Sequence, residues 1–345
     1  MTASHAPVPT PAAERAQQAE PEGLSQVITR LRELLDTHLA ALPAGTVPPA
    51  QAAALAGGKY VRARALIAVA HAYGEPDPQV ITEAAAAVEL LHTASLVHDD
   101  IIDASTMRRG AAALHTVSGE ATAILVGDLL IGVAQELVAP LGSQTSKPLA
   151  RALRALSTGQ LVESALDWGP DAPAALERYA TLKTGALFGA AFELGGAACR
   201  PGTAAAPDPA RLALAGERLG LAFQLADDLL DVHGDVAELG KDHGADLRNG
   251  IPTIPLWLAF HRLTVTGSRA NSGDPDPATV PADTLAVAAG APEVTAAAEA
   301  RIAELCAEGR ALLPPAIRPH LLDLAASIVV PGAAFKPVTP GQHHQ

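Results

Sequence analysis

Apolar residues recur along most of this chain at the i, i+3, i+4 spacing of one helix face. In LSQVITRLRELLDTHLAAL, Val27, Leu31, Leu34, Leu35 and Leu39 fall near one side. Ala, Leu, Arg and Glu dominate the rest of the chain, and no period-2 strand stands out. Breaks rich in Pro and Gly fall at 43–49, 74–78, 140–146, 169–173, 200–209 and 264–281. They separate helices rather than domains. The pattern therefore predicts one all-α domain over residues 23–332. A disordered Pro/Ala-rich lead-in over 1–22 precedes it, and a flexible tail occupies 333–345.

Composition narrows the function. Of the 345 residues, 49% are hydrophobic, enough for a sizeable core. The formal net charge of −13 disfavours a nucleic-acid partner, which needs a basic surface. Anionic substrates would have to be met by local cations. Cys199 and Cys306 form no CxxC pair and read as small buried hydrophobes of a reducing compartment. The first residues lack the basic and apolar regions of a secretory signal, and no uncharged apolar run reaches the ~18 residues of a membrane span. The expected location is the cytoplasm, with no transmembrane segment.

One short motif occurs twice. Asp99-Asp100-Ile101-Ile102-Asp103 and Asp227-Asp228-Leu229-Leu230-Asp231 are both DDxxD, each inside an apolar helical stretch. Asp99 and Asp103 lie one helical turn apart on the same face, as do Asp227 and Asp231. Like charges at that spacing cost an isolated helix about 0.2–0.5 kcal/mol, and burial costs more. Neither cluster contains a Lys or Arg, so both call for an external cation. Hard carboxylate oxygens suit Mg²⁺, which takes one or two carboxylates plus substrate phosphates.

Phosphate-binding residues lie nearby in sequence. Arg108-Arg109-Gly110 comes one to two turns after the first cluster, and Gly57-Gly58-Lys59-Tyr60-Val61-Arg62 opens a helix. Lys183-Thr184 and Gly240-Lys241 supply further cations. Arg offers a fork to phosphate oxygens, and Lys a point charge.

At these residues the chain resembles the trans-isoprenyl diphosphate synthases, the polyprenyl synthetase family. GGKYVR, LLHTASLVHDDIIDASTMRRG, GQLVE, KTG, FQLADDLLD and GKDHGADLRNGIPTIP match the family's segments in order. The resemblance implies an isoprenoid-synthase-type bundle of roughly a dozen helices around a central cavity, usually a homodimer. It implies Mg²⁺-dependent head-to-tail condensation of isopentenyl diphosphate with an allylic prenyl diphosphate, the released diphosphate serving as final base. Carried over residue by residue, Asp99, Asp103 and Asp227 would bind Mg²⁺, with Asp100 and Asp231 also at the metal and Asp228 in support. Lys59, Arg62, His92 and Arg109 would hold isopentenyl diphosphate. Arg108, Lys183, Thr184, Gln224 and Lys241 would attend the allylic diphosphate, and Lys183 would act in catalysis with the six aspartates.

The chain departs from the family pattern in three places. Ala63 stands where the family has Pro, Ala111-Ala112 replaces Pro-Thr after RRG, and Ile251 stands where a Lys is common. No metal ligand is lost. A terpene cyclase on the same scaffold would not need the isopentenyl-site residues retained here. A catalytically silent subunit would have lost acidic ligands, and a histidine–aspartate phosphohydrolase would leave the second DDxxD unexplained.

The resemblance places the product channel along the helix bearing the first cluster. At 1.5 Å per residue, Ala94 lies roughly 7.5 Å below Asp99 and Leu91 roughly 12 Å. Ala94 and Ser95 are too small to make a floor, so the expected product is of geranylgeranyl length or longer.

Overall fold

The computed structural model describes residues 23–199, 208–233, 250–266 and 280–315. The expected lead-in and tail lie outside this set. The chain runs through α1 (Leu24–Ala40), α2 (Pro49–Leu55), α3 (Val61–Ala72) and α4 (Pro78–Ile102), then a hairpin of β1 (Met107–Arg108) and β2 (Ala111–Ala112). Next come α5 (Leu114–Ser118), α6 (Glu120–Val138), a 3₁₀ turn (Ala139–Leu141), α7 (Ser143–Glu163) and α8 (Ala172–Ala180). A π-turn (Thr181–Gly185) runs straight into α9 (Ala186–Ala197). Beyond it lie α10 (Pro209–His233), α11 (Ile254–Thr266), α12 (Ala282–Ala289) and α13 (Pro292–Ala311).

The all-helical expectation holds, with one local correction. Residues 107–112 are a two-stranded antiparallel hairpin, pairing Met107 with Ala112 and Arg108 with Ala111. Its two-residue loop, Arg109-Gly110, has positive φ at both positions (50° and 77°), as a type I′ turn requires. Two-residue strands are too short to leave a period-2 signature. Arg108 and Arg109 thus sit on a hairpin, not on a continuation of α4.

Helix α4 is the spine. Asp77 starts it, its Oδ1 accepting the Gln79 and Val80 amides at 3.0 and 3.4 Å, with Pro78 in the first turn. Its middle is buried on nearly all sides (Ala84–Val88, Leu90, Leu91, Ala94), and small alanines let neighbours approach closely. One core joins α4 to α1, α3, α6, α7 and α9, and a second joins α3 and α8 to α9, α10 and α13. Mean hydropathy makes α4 long and apolar enough to cross a membrane, yet 67% of that window is buried. The stretch Glu120–Leu141 passes the same test with only 33% of its window buried.

Helices α9 and α10 cross backbone to backbone. A Cβ on Gly216 would stand 2.5 Å from the Phe188 carbonyl oxygen, and one on Gly220 2.7 Å from the Gly185 Cα. Nothing larger than glycine fits there. This contact presses the π-turn against α10 and so positions Lys183, Thr184 and Gln224. We expect Gly216→Ala to lower stability by about 1–3 kcal/mol in urea unfolding, because the blocking atoms are backbone and cannot rotate away.

Candidate active site

Both aspartate clusters stand at the C-terminal ends of 25-residue helices. Asp99 and Asp100 occupy the last turn of α4, and Asp103 is its C-cap. Asp227, Asp228 and Asp231 occupy the last turns of α10. A helix C-terminus already carries roughly −0.5 charge, so carboxylates there deepen a negative potential. Asp99 and Asp103 are half-buried and Asp100 is 3% exposed; on α10, Asp228 is buried and Asp227 and Asp231 half-buried.

The π-turn lies between the clusters. Burial pushes the Asp99 carboxyl up to about 6, with Lys183 opposing and Asp103 adding to the shift. Asp103 is raised for the same leading reason, again opposed by Lys183. The next residue, Thr184, donates from Oγ1 to Gln224 Oε1 at 2.6 Å, and Gln224 Nε2 donates to Asp228 Oδ1 at 2.8 Å. Adjacent residues of one turn therefore serve the two acidic ends. A π-turn, rare elsewhere, lets consecutive side chains address both.

The structure adds a carboxylate that sequence reading did not select. Glu163, at the end of α7, pairs with Lys183 Nζ at 2.6 Å and accepts the Tyr179 hydroxyl and Gln160 Nε2 (3.2 Å). It also raises the Asp99 and Asp103 carboxyls. Its signal was present, as the last residue of GQLVE.

A second group lies around the start of α3. Arg62 is buried, its guanidinium 5.0 Å above the Phe188 ring, and its buried Nε lacks a hydrogen-bond partner. Burial brings its pKa down to about 10, while Glu89 and Asp227 work to hold it up. Glu89, on α4 and 4% exposed, is pushed up by burial and restrained by Arg62. Its Oε1 accepts the Ala63 amide at 2.9 Å. A proline at position 63 could not make that bond, so this departure from the family pattern supplies a donor to a buried carboxylate.

Arg109 reaches back to α2, its Nη1 donating to the Ala54 and Leu55 carbonyls at 3.0 and 3.4 Å. The Gly57-Gly58 loop wraps its guanidinium, and burial lowers its pKa. Lys59 is exposed and His92 half-buried. Arg108 Nε donates to Asp100 Oδ1 at 2.8 Å, so Asp100 is engaged by a cation of the chain while Asp99 and Asp103 lie near Lys183. Lys241 lies outside the described residues.

Residues 47–271 match the family model for polyprenyl synthetase. The chain belongs to the polyprenyl synthetase family. It is 34% identical over 236 residues to the nonaprenyl diphosphate synthase of Mycobacterium tuberculosis, covering 68% of this chain and 69% of that one. It is 35% identical over 264 residues to the farnesyl diphosphate synthase of Escherichia coli K12, covering 70% and 85%. A solved polyprenyl synthase from Caulobacter crescentus CB15, complexed with calcium and isoprenyl diphosphate, matches with TM-score 0.66 and 31% identity, covering 90% of this chain and 99% of that one. As in other members, the chemistry of this chain is that of a prenyltransferase.

Among the described residues, no three acidic, His or Cys side chains converge into a metal cage. The donor set still fits Mg²⁺. The carboxylates at each helix end are hard oxygen donors, Asp99 is destabilised as an anion, and Mg²⁺ takes few protein ligands, completing its shell with water and phosphate.

Protonation of Asp99 has a predictable consequence. Its folded pKa lies above the ordinary value of 3.8, so the folded chain holds an extra proton between pH 3.8 and about 6. Stability from this group falls as pH rises through that window. Metal binding needs the ionised form. We expect apparent Mg²⁺ affinity, measured by titration calorimetry with inorganic pyrophosphate present, to weaken as the pH is lowered from neutrality through about 6, and Asp99→Asn to flatten that slope.

Proposed function

We propose that the protein condenses isopentenyl diphosphate head-to-tail with an allylic prenyl diphosphate in a Mg²⁺-dependent reaction, giving a product of geranylgeranyl length or longer. The observation that carries this reading is the pair of acidic helix ends joined through Lys183 and Thr184, with a separate cationic group at Arg62 and Arg109. Two anionic substrates need two such places.

Asp99 and Asp103 at one end, and Asp227 with Asp231 at the other, would hold Mg²⁺ against the allylic diphosphate. When bound, Mg²⁺ neutralises the diphosphate leaving group. Lys183 leaves Glu163 for a phosphate oxygen, and Thr184, oriented by Gln224, donates a hydrogen bond beside it. Asp100 acts chiefly by holding Arg108, and Asp228 by orienting Gln224. Lys59, Arg62 and Arg109 would hold isopentenyl diphosphate, with His92 on the same helix as the first cluster and Lys241 completing the allylic side. Arg62 has an unpartnered buried donor, and Glu89 keeps its charge tolerable without a bound anion. The apolar residues beneath Asp99 exclude water from the reacting carbons.

The Mycobacterium and Escherichia relatives are named for products of different length, so the length reading rests on α4. Ala94 is fully buried and packs in the core shared with α6, where Val126 and Leu130 lie. Between Leu91 and Asp99 the helix carries no Phe, Tyr or Trp, and its only branched aliphatic side chains are Leu96 and Val97.

Two features support a homodimer acting in the cytoplasm. On α6, Ile124 and Leu125 are 45% and 67% exposed, an apolar face that a second copy would cover. Cys199 and Cys306 are free thiols. A covered α6 face also accounts for its hydropathy without a membrane span.

The direct test is product analysis by mass spectrometry after incubation with isopentenyl diphosphate, a set of allylic primers and Mg²⁺. Prenyl diphosphates of geranylgeranyl length or longer are expected. Release of a hydrocarbon from geranylgeranyl diphosphate alone would instead mark a cyclase. Ala94→Phe should shorten the product, and an unchanged length in a folded variant would refute the channel. By light scattering, the wild type should have twice the 35.1 kDa chain mass, and Leu125→Glu should reduce it to a single chain.

A further inference from the structure

Immediately before the first aspartate cluster, the His98 side chain projects from α4 and seats its ring on α6. Its Nε2 lies 3.1 Å from the Ile124 carbonyl oxygen and 3.8 Å from the Asp128 carboxylate. A carbonyl only accepts, so Nε2 carries the proton of this bond. Beneath the ring is Gly127. A Cβ there would stand 2.2 Å from His98 Nε2, 2.6 Å from Cδ2 and 2.8 Å from Cε1. Gly127 lies inside a 19-residue helix, and its φ is not among the positive ones. Glycine is unfavourable in a helix interior relative to alanine, so backbone conformation does not explain its presence. Room for the imidazole does.

We propose that His98 is a positioning residue for the metal-binding end of α4, and that Gly127 is the notch that seats it. The ring joins the last turn of α4 to α6 one residue from Asp99. Arg108 holds Asp100 of that turn, and His98 adds a hydrogen bond from it to α6. The helix stops at Ile102, Ile102 is 59% exposed, and Asp103 is already its cap. Without the seat, the last turn frays as helix ends do, and Asp99 and Asp103 lose their common orientation. This inference rests on the proposed diphosphate site, because it assigns His98 a role in ordering that site's carboxylates.

The test is the rise in melting temperature of the full-length protein on adding Mg²⁺ with inorganic pyrophosphate, a readout independent of turnover. A merely structural role would lower the starting temperature and leave the rise unchanged. His98→Ala and Gly127→Ala should each lose at least half of the wild-type rise. The double variant should lose no more than His98→Ala, since without a ring the notch is idle. His98→Gln, whose amide can still donate to Ile124, should keep most of the rise. A full rise in His98→Ala or Gly127→Ala, additive losses in the double variant, or a loss in His98→Gln equal to that of His98→Ala would overturn the proposal. If Gly127→Ala does not fold, the double variant decides: folding with the rise of His98→Ala supports the notch, and failure to fold while His98→Ala folds refutes it. Absence of any rise in the wild type would count against the diphosphate site itself, and is thereby told apart from failure of the His98 role.

Discussion

Negative charge gathered where two long helices end is the constraint on which the rest of this structure depends. Each helix end carries the partial negative charge of its aligned carbonyls, and each bears a DDxxD cluster. Apolar packing along both helices keeps water from screening the carboxylates fully, and the Asp99 carboxyl accordingly rises to about 6. A fold with this charge distribution is electrostatically incomplete. Lys183 and Arg108 offset part of it from within the chain. The remainder suits divalent ions brought in with an anionic substrate.

The packing that holds these ends in relation to each other is made of very small residues. Gly216 and Gly220 let α10 lie directly against α9 and the π-turn, and the alanines of α4 let its neighbours crowd in. Close backbone contact leaves little freedom for the π-turn to shift. Thr184, Gln224 and Asp228 are linked by short hydrogen bonds in consequence. The same turn delivers Lys183 to Glu163 and Tyr179, where the ammonium is stored between a carboxylate and a ring 5.4 Å away. Helix packing and site geometry are here one arrangement seen at two scales.

Much of this was legible in the residues. Helix limits track Pro and Gly breaks closely, with α2 starting at Pro49, α4 at Pro78 and α10 at Pro209. The face of α1 buries Val27, Leu31, Leu34 and Leu35 as its spacing implies, with Leu39 partly buried. The aspartate clusters announced themselves because charge inside an apolar run is unusual, and Lys183 through its Thr- and Gly-flanked KTG context. Other features were hidden for physical reasons. A hairpin of two residues per strand has no periodicity to read, and a π-turn differs from an α-helix by one hydrogen-bond register. Glu89 and the partly buried Glu163 owe their surroundings to neighbours distant in sequence, and of the two only Glu163 lies in a segment matching the family, GQLVE. The partners of Ala63 and Gly127 likewise belong to other helices, so their small size gained a meaning only in three dimensions.

The central claim is that both acidic helix ends act on one shared diphosphate through divalent ions. Anomalous diffraction from crystals grown with Mn²⁺ and inorganic pyrophosphate tests it most directly. The account predicts manganese peaks against Asp99 and Asp103 and against Asp227 or Asp231, all touching the same pyrophosphate. Peaks at only one helix end, or pyrophosphate bound with no metal at either, would contradict it.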